Sequence, residues 1–169
     1  MIEVELASVR VDIRTNTPLI LLRELNEPHR SLPIFIGSSE AQAIALGHQK
    51  VAASRPLTHD LLLDVISSYG GTLARVDVTE LRDRNYFAEL VIYTEGVKKV
   101  VSARPSDGVA LAVRVGAPIF VNEELLANEG VVIAEGDTDE EGDEIEVDES
   151  DVIDDFRDFL NQLRPDDFS

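Results

Sequence analysis

The sequence predicts an α+β domain: a mixed or antiparallel sheet built from hairpins, packed against about three short helices, with a further amphipathic helix at the C-terminus. Three observations lead there. Runs that alternate polar with apolar residues come in pairs joined by turns short enough for hairpins. Segments of small or amphipathic residues, each opening on a polar cluster suited to a helix start, separate those runs. The composition then changes abruptly beyond about residue 128, which divides the chain into a domain over 1–128, an acidic flexible linker over 129–150 and a helical tail over 151–169.

The elements follow in order. Residues 3–13 alternate with period two, as a half-buried strand does. Thr15-Asn16-Thr17-Pro18 is a turn, and Leu19-Ile20-Leu21-Leu22 returns as its hairpin partner. Leu32-Pro33-Ile34-Phe35-Ile36 is a third strand, which Pro33 assigns to a sheet edge or a strand start. Gly37-Ser38-Ser39 breaks it and offers an N-cap for an alanine-rich helix over 40–49. Thr58 is the next N-cap candidate, for a helix over 59–69 stopped by Gly70-Gly71. Strands over 73–81, 86–93 and 99–103 are joined by the polar turn Arg82-Asp83-Arg84-Asn85 and by Glu95-Gly96. Arg104-Pro105-Ser106-Asp107 opens a third helix over 108–115, and Ile119-Phe120-Val121 is a last short strand. Residues 39–46 match 106–113 in residue class at most positions, an echo that suggests a duplicated half-domain with two helices packed closely by their alanine faces.

Bulk properties narrow the function. The chain of 169 residues suits one domain with a proper core. It has no run of eighteen apolar residues and no signal-peptide start, so no membrane association is expected. The absence of cysteine removes disulfides, thiolate nucleophiles and thiolate metal sites, and fits a reducing, cytoplasmic compartment. The net charge of −18 is uneven: residues 1–128 carry 16 acidic and 13 basic side chains, residues 129–169 carry 17 and 2. The tail is therefore the acidic part, while a nearly neutral body can still carry a local basic groove. The acidic stretch 135–151 cannot bury enough apolar surface to order itself. Beyond Ser150, Val152, Ile153, Phe156, Phe159, Leu160 and Leu163 recur at helical spacing until Pro165. A helix of about fourteen residues is too short to be stable alone, so it must dock on its own body, a second subunit or a partner.

No phosphate-binding loop, dinucleotide fingerprint, nucleophile elbow or paired-histidine zinc helix is present. Three polar clusters remain, each at a helix start: Ser38-Ser39-Glu40, Arg55-Pro56-Leu57-Thr58-His59-Asp60 and Arg104-Pro105-Ser106-Asp107. Helix caps, first-turn acids and ion pairs account for each of them structurally. Their functional reading is that helix N-termini and arginine forks bind phosphate. On that reading the His59 imidazole serves as a general acid–base group. Glu40, Asp60 and Asp107 would hold Mg²⁺ or Mn²⁺ if the three helix starts converge. Tyr86 and Phe87, after the Arg82-Asp83-Arg84 turn, are either ordinary strand residues or a place for a base to stack beside basic groups.

These blocks, from Leu32-Pro33-Ile34-Phe35-Ile36-Gly37 with Glu40-Ala41, through Arg55-Pro56-Leu57-Thr58-His59-Asp60, Leu81-Arg82-Asp83 with Tyr86-Phe87-Ala88, and Ser102-Ala103-Arg104-Pro105-Ser106-Asp107, to Gly116-Ala117-Pro118-Ile119-Phe120-Val121, resemble the bifunctional nuclease family in order and over about residues 1–125. The resemblance implies a compact α+β domain, homodimers or higher homo-oligomers, and hydrolysis of DNA and RNA. Carried onto this sequence, it points to Glu40, His59, Asp60 and Asp107 as catalytic residues and to Arg55, Arg82, Asp83 and Arg104 as substrate-binding ones. Gly108 departs from the alanine more usual in the family, which is expected to loosen the third helix start. The rival reading is a non-catalytic, homo-oligomeric binding or regulatory module that recruits partners through its acidic tail and C-terminal helix.

Overall fold

The computed structural model describes residues 1–51 and 53–132. The acidic linker and the C-terminal helix expected from the sequence lie outside these residues, apart from the first few positions after 128. Eleven elements follow in order: β1 (Ile2–Asp12), β2 (Thr17–Glu24), β3 (Ser31–Phe35), α1 (Ser38–His48), α2 (Thr58–Ser68), β4 (Gly71–Arg82), β5 (Asn85–Thr94), β6 (Val97–Ala103), α3 (Pro105–Val115), β7 (Ile119–Val121) and α4 (Glu123–Glu129). They build a seven-stranded mixed sheet of order β3-β2-β1-β7-β4-β5-β6 with four helices, an α+β fold. No described helix is long and apolar enough to cross a membrane.

The order is that of two similar halves. Each is a three-strand meander followed by a helix, β1-β2-β3-α1 and β4-β5-β6-α3, and β7 joins them by pairing antiparallel with β1 and parallel with β4. The echoing residues 39–46 and 106–113 fall at matching places in α1 and α3. Pro33 sits in an edge strand, as its missing N–H requires.

The apolar spacing sets the shape of the sheet. Buried Val4 and Leu6 are two apart, as in any strand, but Leu6 and Val9 are three apart. Both can face one core because the pairing with β2 slips between Leu6 and Ser8. In β4 the same three-residue steps separate Leu73 from Val76 and Val78 from Leu81, and the register shifts at both places. Bulges bend a strand and increase its twist. β1 and β4 flank the centre, so these irregularities curl the sheet around α1 and α3. Flat, seven strands would hold β3 and β6 about 29 Å apart. Here Glu40, five residues after β3, touches Arg104, the residue after β6.

The core lies between the curled sheet and the paired helices, with Ile20, Leu22, Val76, Val78, Val109 and Leu111 fully enclosed. Small residues permit this closeness. An added Cβ at Gly108 would stand 2.6 Å from Val76 Cγ1, so glycine there lets α3 settle on β4 and is a matter of fit, not a loosened helix start. An added Cβ at Gly47 would stand 2.5 Å from Arg114 Nη1.

Two local expectations are corrected. Thr58 does not cap α2: it is the first helical residue, Leu57 is the N-cap, and the Asp60 carboxylate reaches back to accept the Leu57 N–H at 2.9 Å. A fourth helix, α4, follows β7, capped by the Asn122 side chain, which accepts from the N–H groups of Glu124 and Leu125.

An ion pair between Glu24 and Arg30 closes the β2–β3 connection. Glu24, almost fully enclosed, accepts from Arg30 Nη2 at 2.6 Å, Nε at 2.9 Å and the backbone N–H at 2.9 Å. The Arg30 guanidinium holds the Glu24 carboxyl below its ordinary 4.5, against the opposing push of burial. A carboxyl depressed in the folded state stabilises above its unfolded pKa, and this contribution fades as pH falls through the lower folded value. The unfolding free energy from urea titrations is expected to drop as pH falls below about 4.5. Glu24→Gln should remove part of that slope and leave the part due to other depressed carboxyls.

Candidate functional site

The curl of the sheet creates a cleft of about 660 Å³ at one end of the domain. One wall is the end of β3 and the start of α1, with Phe35, Gly37 and Glu40; the other is the β4–β5 turn, β5, the end of β6 and the start of α3, with Arg84, Tyr86, Phe87, Arg104 and Ser106. Each half of the domain thus supplies one wall.

Arg104 joins them. Its Nη1 donates to Glu40 Oε1 at 2.8 Å, its Nε to Asp107 Oδ2 at 2.8 Å and its Nη2 to Asp107 Oδ1 at 3.1 Å. It is the N-cap of α3, in extended backbone, so the chain turns there and directs the side chain across the cleft. Its side chain is still 65% exposed, leaving donor capacity for a ligand. Asp107 first, and Glu40 with it, raise the Arg104 pKa further, so the guanidinium is a fixed cation. Asp107 extends the network to His59, whose Nε2 lies 3.4 Å from Asp107 Oδ1. Burial pushes the Asp107 carboxyl up, but hydrogen bonds from Arg104 and His59 outweigh it and leave it below its ordinary value. The echo gives this arrangement a reason. Glu40 and Asp107 occupy matching positions in the two halves, and Arg104 matches Gly37, which has no side chain to compete with it.

The structure brings together Glu40, His59, Arg104 and Asp107 among the residues singled out from sequence. His59 is mostly enclosed and does not line the cleft; it stands behind Asp107. Asp60 is directed elsewhere. Its Oδ1 accepts from Arg114 Nε at 2.6 Å while its Oδ2 caps α2, and burial, which raises its pKa, is outweighed by the Leu57 N–H and Arg114. It lines a second, smaller concavity with Arg114, Lys50 and Asp64. Glu40, Asp60 and Asp107 therefore do not converge, and among the described residues no three His, Asp or Glu side chains are gathered to hold a metal ion. The gap between Glu40 and Asp107 is filled by the Arg104 guanidinium, so a Mg²⁺ or Mn²⁺ ion bound by all three carboxylates does not fit this arrangement. Arg55 is exposed in the loop before α2. Arg82 lies over the Phe87 ring, 4.5 Å from its centroid, beside the cleft wall. Asp83 sits at the tip of the β4–β5 turn with φ 51°, its carbonyl accepting from Asn85 Nδ2.

Two residues not singled out from sequence, Phe35 and Arg114, belong to the site or its support, together with Arg84, which the sequence offered only as part of the basic turn before Tyr86 and Phe87. Arg84 follows Asp83 in the left-handed region, at φ 64°, and lines the cleft. Phe35, 57% exposed at the end of β3, faces the same space. Arg114 is 8% exposed and ties Asp60 to α1 and α3 by donating from Nη1 to the carbonyls of Ala43 (2.9 Å) and Ala110 (2.8 Å). The echo carried a signal for it. Extended by one residue it sets Arg114 against Gly47, the place where its guanidinium fits.

Residues 20–134 match the family model of the bifunctional nuclease domain. The uncharacterized protein Rv1829 of Mycobacterium tuberculosis is 45% identical over 166 residues, covering 98% of this chain and 97% of that protein. Bifunctional nuclease 2 of Arabidopsis thaliana is 31% identical over 97 residues, 56% of this chain and 30% of the plant protein. Bifunctional nuclease 1 of the same plant is 29% identical over 111 residues, 64% and 34% respectively. Matched over residues 20–134, more than half of its length, the chain belongs to the bifunctional nuclease domain family.

Proposed function

We propose that the protein is a nuclease that hydrolyses phosphodiester bonds of DNA or RNA in the cleft between the starts of α1 and α3. The observation that carries this reading is one fixed, largely exposed guanidinium, Arg104, held between two carboxylates at the mouth of an aromatic, arginine-bearing cleft. Arg104 and Arg84 reach it from separate elements and suit a phosphodiester anion. Phe35, Tyr86 and Phe87 offer faces on which neighbouring bases stack.

In this reading Glu40, in contact with Arg104, accepts the proton of a water that attacks phosphorus. A P–O bond forms to that water, the P–O bond to the leaving ester oxygen breaks, and the leaving oxygen takes a proton from solvent. Arg104 stabilises the charge that builds on the non-bridging oxygens. Asp107 and His59 act through Arg104 as positioning residues, so His59 needs no contact with the reacting atoms. Glu40→Gln keeps the shape and the acceptor for Arg104 but loses the base, and general-base losses are on the order of 10²–10⁴-fold. Single-turnover cleavage of labelled single-stranded RNA and DNA, with Mg²⁺, with Mn²⁺ and with EDTA, should show the maximal cleavage rate constant falling while the enzyme concentration at half-saturation changes little. A Glu40→Gln protein that cleaves at the wild-type rate in every condition rejects this site.

One observation supports the second reading, a homo-oligomeric binding module without catalysis. β6 is an edge strand that exposes Val97, Val100 and Val101, and an exposed apolar edge invites pairing with another chain. Absence of cleavage in every arm, together with a dimer or larger assembly by sedimentation, would favour it.

A further inference from the structure

Helix α2 is apolar on two sides, and the domain covers one. Leu63 packs toward the core and Ile66 against Gly71. On the other side Leu61 (56% exposed), Leu62 (41%), Val65 (45%) and Tyr69 (80%) form a continuous stripe at helical spacing, and the helix has no fully buried residue. Such a stripe is the surface another helix packs on.

We propose that residues 152–163 of the same chain fold back as a helix onto this stripe. Val152, Ile153, Phe156, Phe159, Leu160 and Leu163 repeat the spacing of the stripe over twelve residues, against the eleven of α2. Arg157 and Arg164 lie along one flank of the segment's apolar face and Asp155 along the other, so a segment packed parallel to α2 sets its arginines beside Asp64, which flanks the stripe of α2. A second copy of α2 packed antiparallel on the stripe would instead place Asp64 near its own duplicate. Reach is ample. The described chain ends at Val132, just after Val131 bridges to Ser31, and nineteen residues onward is Asp151. That length spans roughly 60 Å when extended, more than the width of a domain of this size. Docking also resolves two marginal elements at once: a tail helix too short to stand alone and a surface helix with an uncovered face.

The chain has no cysteine, which makes disulfide trapping in the full-length protein direct. The full chain carrying Val65→Cys and Phe156→Cys is oxidised mildly at low concentration and mapped by non-reducing electrophoresis and peptide mass. The expected product is an intrachain 65–156 disulfide, forming on the order of tenfold or more faster than the link in a Val115→Cys, Phe156→Cys control, because docking raises the local concentration. Equal rates would overturn the proposal. So would a 65–65 or 65–156 disulfide between two chains, which would assign the stripe to a second copy. Hydrogen exchange of the full-length Leu61→Gln, Val65→Gln protein provides a second readout at exposed positions. Protection of residues 152–163 should be present in the wild type and lost in the variant, and its absence from the wild type or persistence in the variant would equally overturn it.

Discussion

Arg104→Ala is expected to lower phosphodiester cleavage on the order of 10²–10³-fold, the usual loss when one donor aimed at transition-state charge is removed. The effect should be large because Arg104 makes three hydrogen bonds to two carboxylates from opposite halves of the domain. Its removal deletes the proposed phosphate donor and leaves Glu40 and Asp107 without the cation between them, Asp107 keeping its contact with His59. Arg104→Lys restores the charge but not the geometry, since an ammonium cannot present the planar fork that spans Glu40 and Asp107. Its activity should fall between the two. Circular dichroism and thermal melts of the same preparations separate lost chemistry from lost fold: Arg104 is 65% exposed and its ion pairs contribute little to stability, so the melting temperature should move by only a few degrees.

The largest effect on stability is expected at Arg114. Arg114→Leu removes the donors to Asp60, Ala43 and Ala110 from a position that is 8% exposed. Truncating one partner of a buried pair costs about 3–5 kcal/mol, and the 38% exposure of Asp60 lowers the expectation here to about 2–3 kcal/mol. Chemical denaturation should report that loss as a lower midpoint at unchanged slope. Asp60→Asn should cost less, because the amide still accepts from Leu57 and its environment admits water. A second consequence separates Arg114 from an ordinary core residue. By fixing Asp60 it fixes the start of α2, and with it His59 against Asp107. Arg114→Leu should therefore also weaken the cleft, but by much less than Arg104→Ala.

How far the site was legible from sequence depends on the range of the contacts involved. Strand and helix order followed from local periodicity and punctuation, and Pro33 narrowed β3 to an edge strand or a strand start, of which the structure shows the edge. The polar clusters at the helix starts were visible for the same reason. Convergence was not, because Glu40 and Arg104 are 64 positions apart and meet only through the curl of a sheet whose bulges appear in the sequence as three-residue steps between apolar positions. Asp60 illustrates the limit. Adjacent to His59, it was a natural partner for the metal-binding reading, yet one turn geometry sends its carboxylate to the helix cap and to Arg114. Arg84 was legible only as part of a basic turn, because strand periodicity does not register the left-handed turn residue that places it on the cleft wall. The helix α4, seven residues long, is too short for a periodic signal, although Asn122 before Glu123-Glu124 is a readable cap.

The central claim is that nucleic acid binds in the cleft between the two helix starts. Photo-crosslinking tests it most directly, with a single-stranded oligonucleotide carrying one photoreactive base and the slowed Glu40→Gln protein, the adducts being mapped by peptide mass. The account predicts adducts on Tyr86 or Phe87 across the cleft from Phe35, competed away by unlabelled oligonucleotide and weakened by Arg104→Ala. Adducts that lie elsewhere, around Lys50 and Val115 beside the second concavity for instance, and that are unaffected by Arg104→Ala, would contradict it.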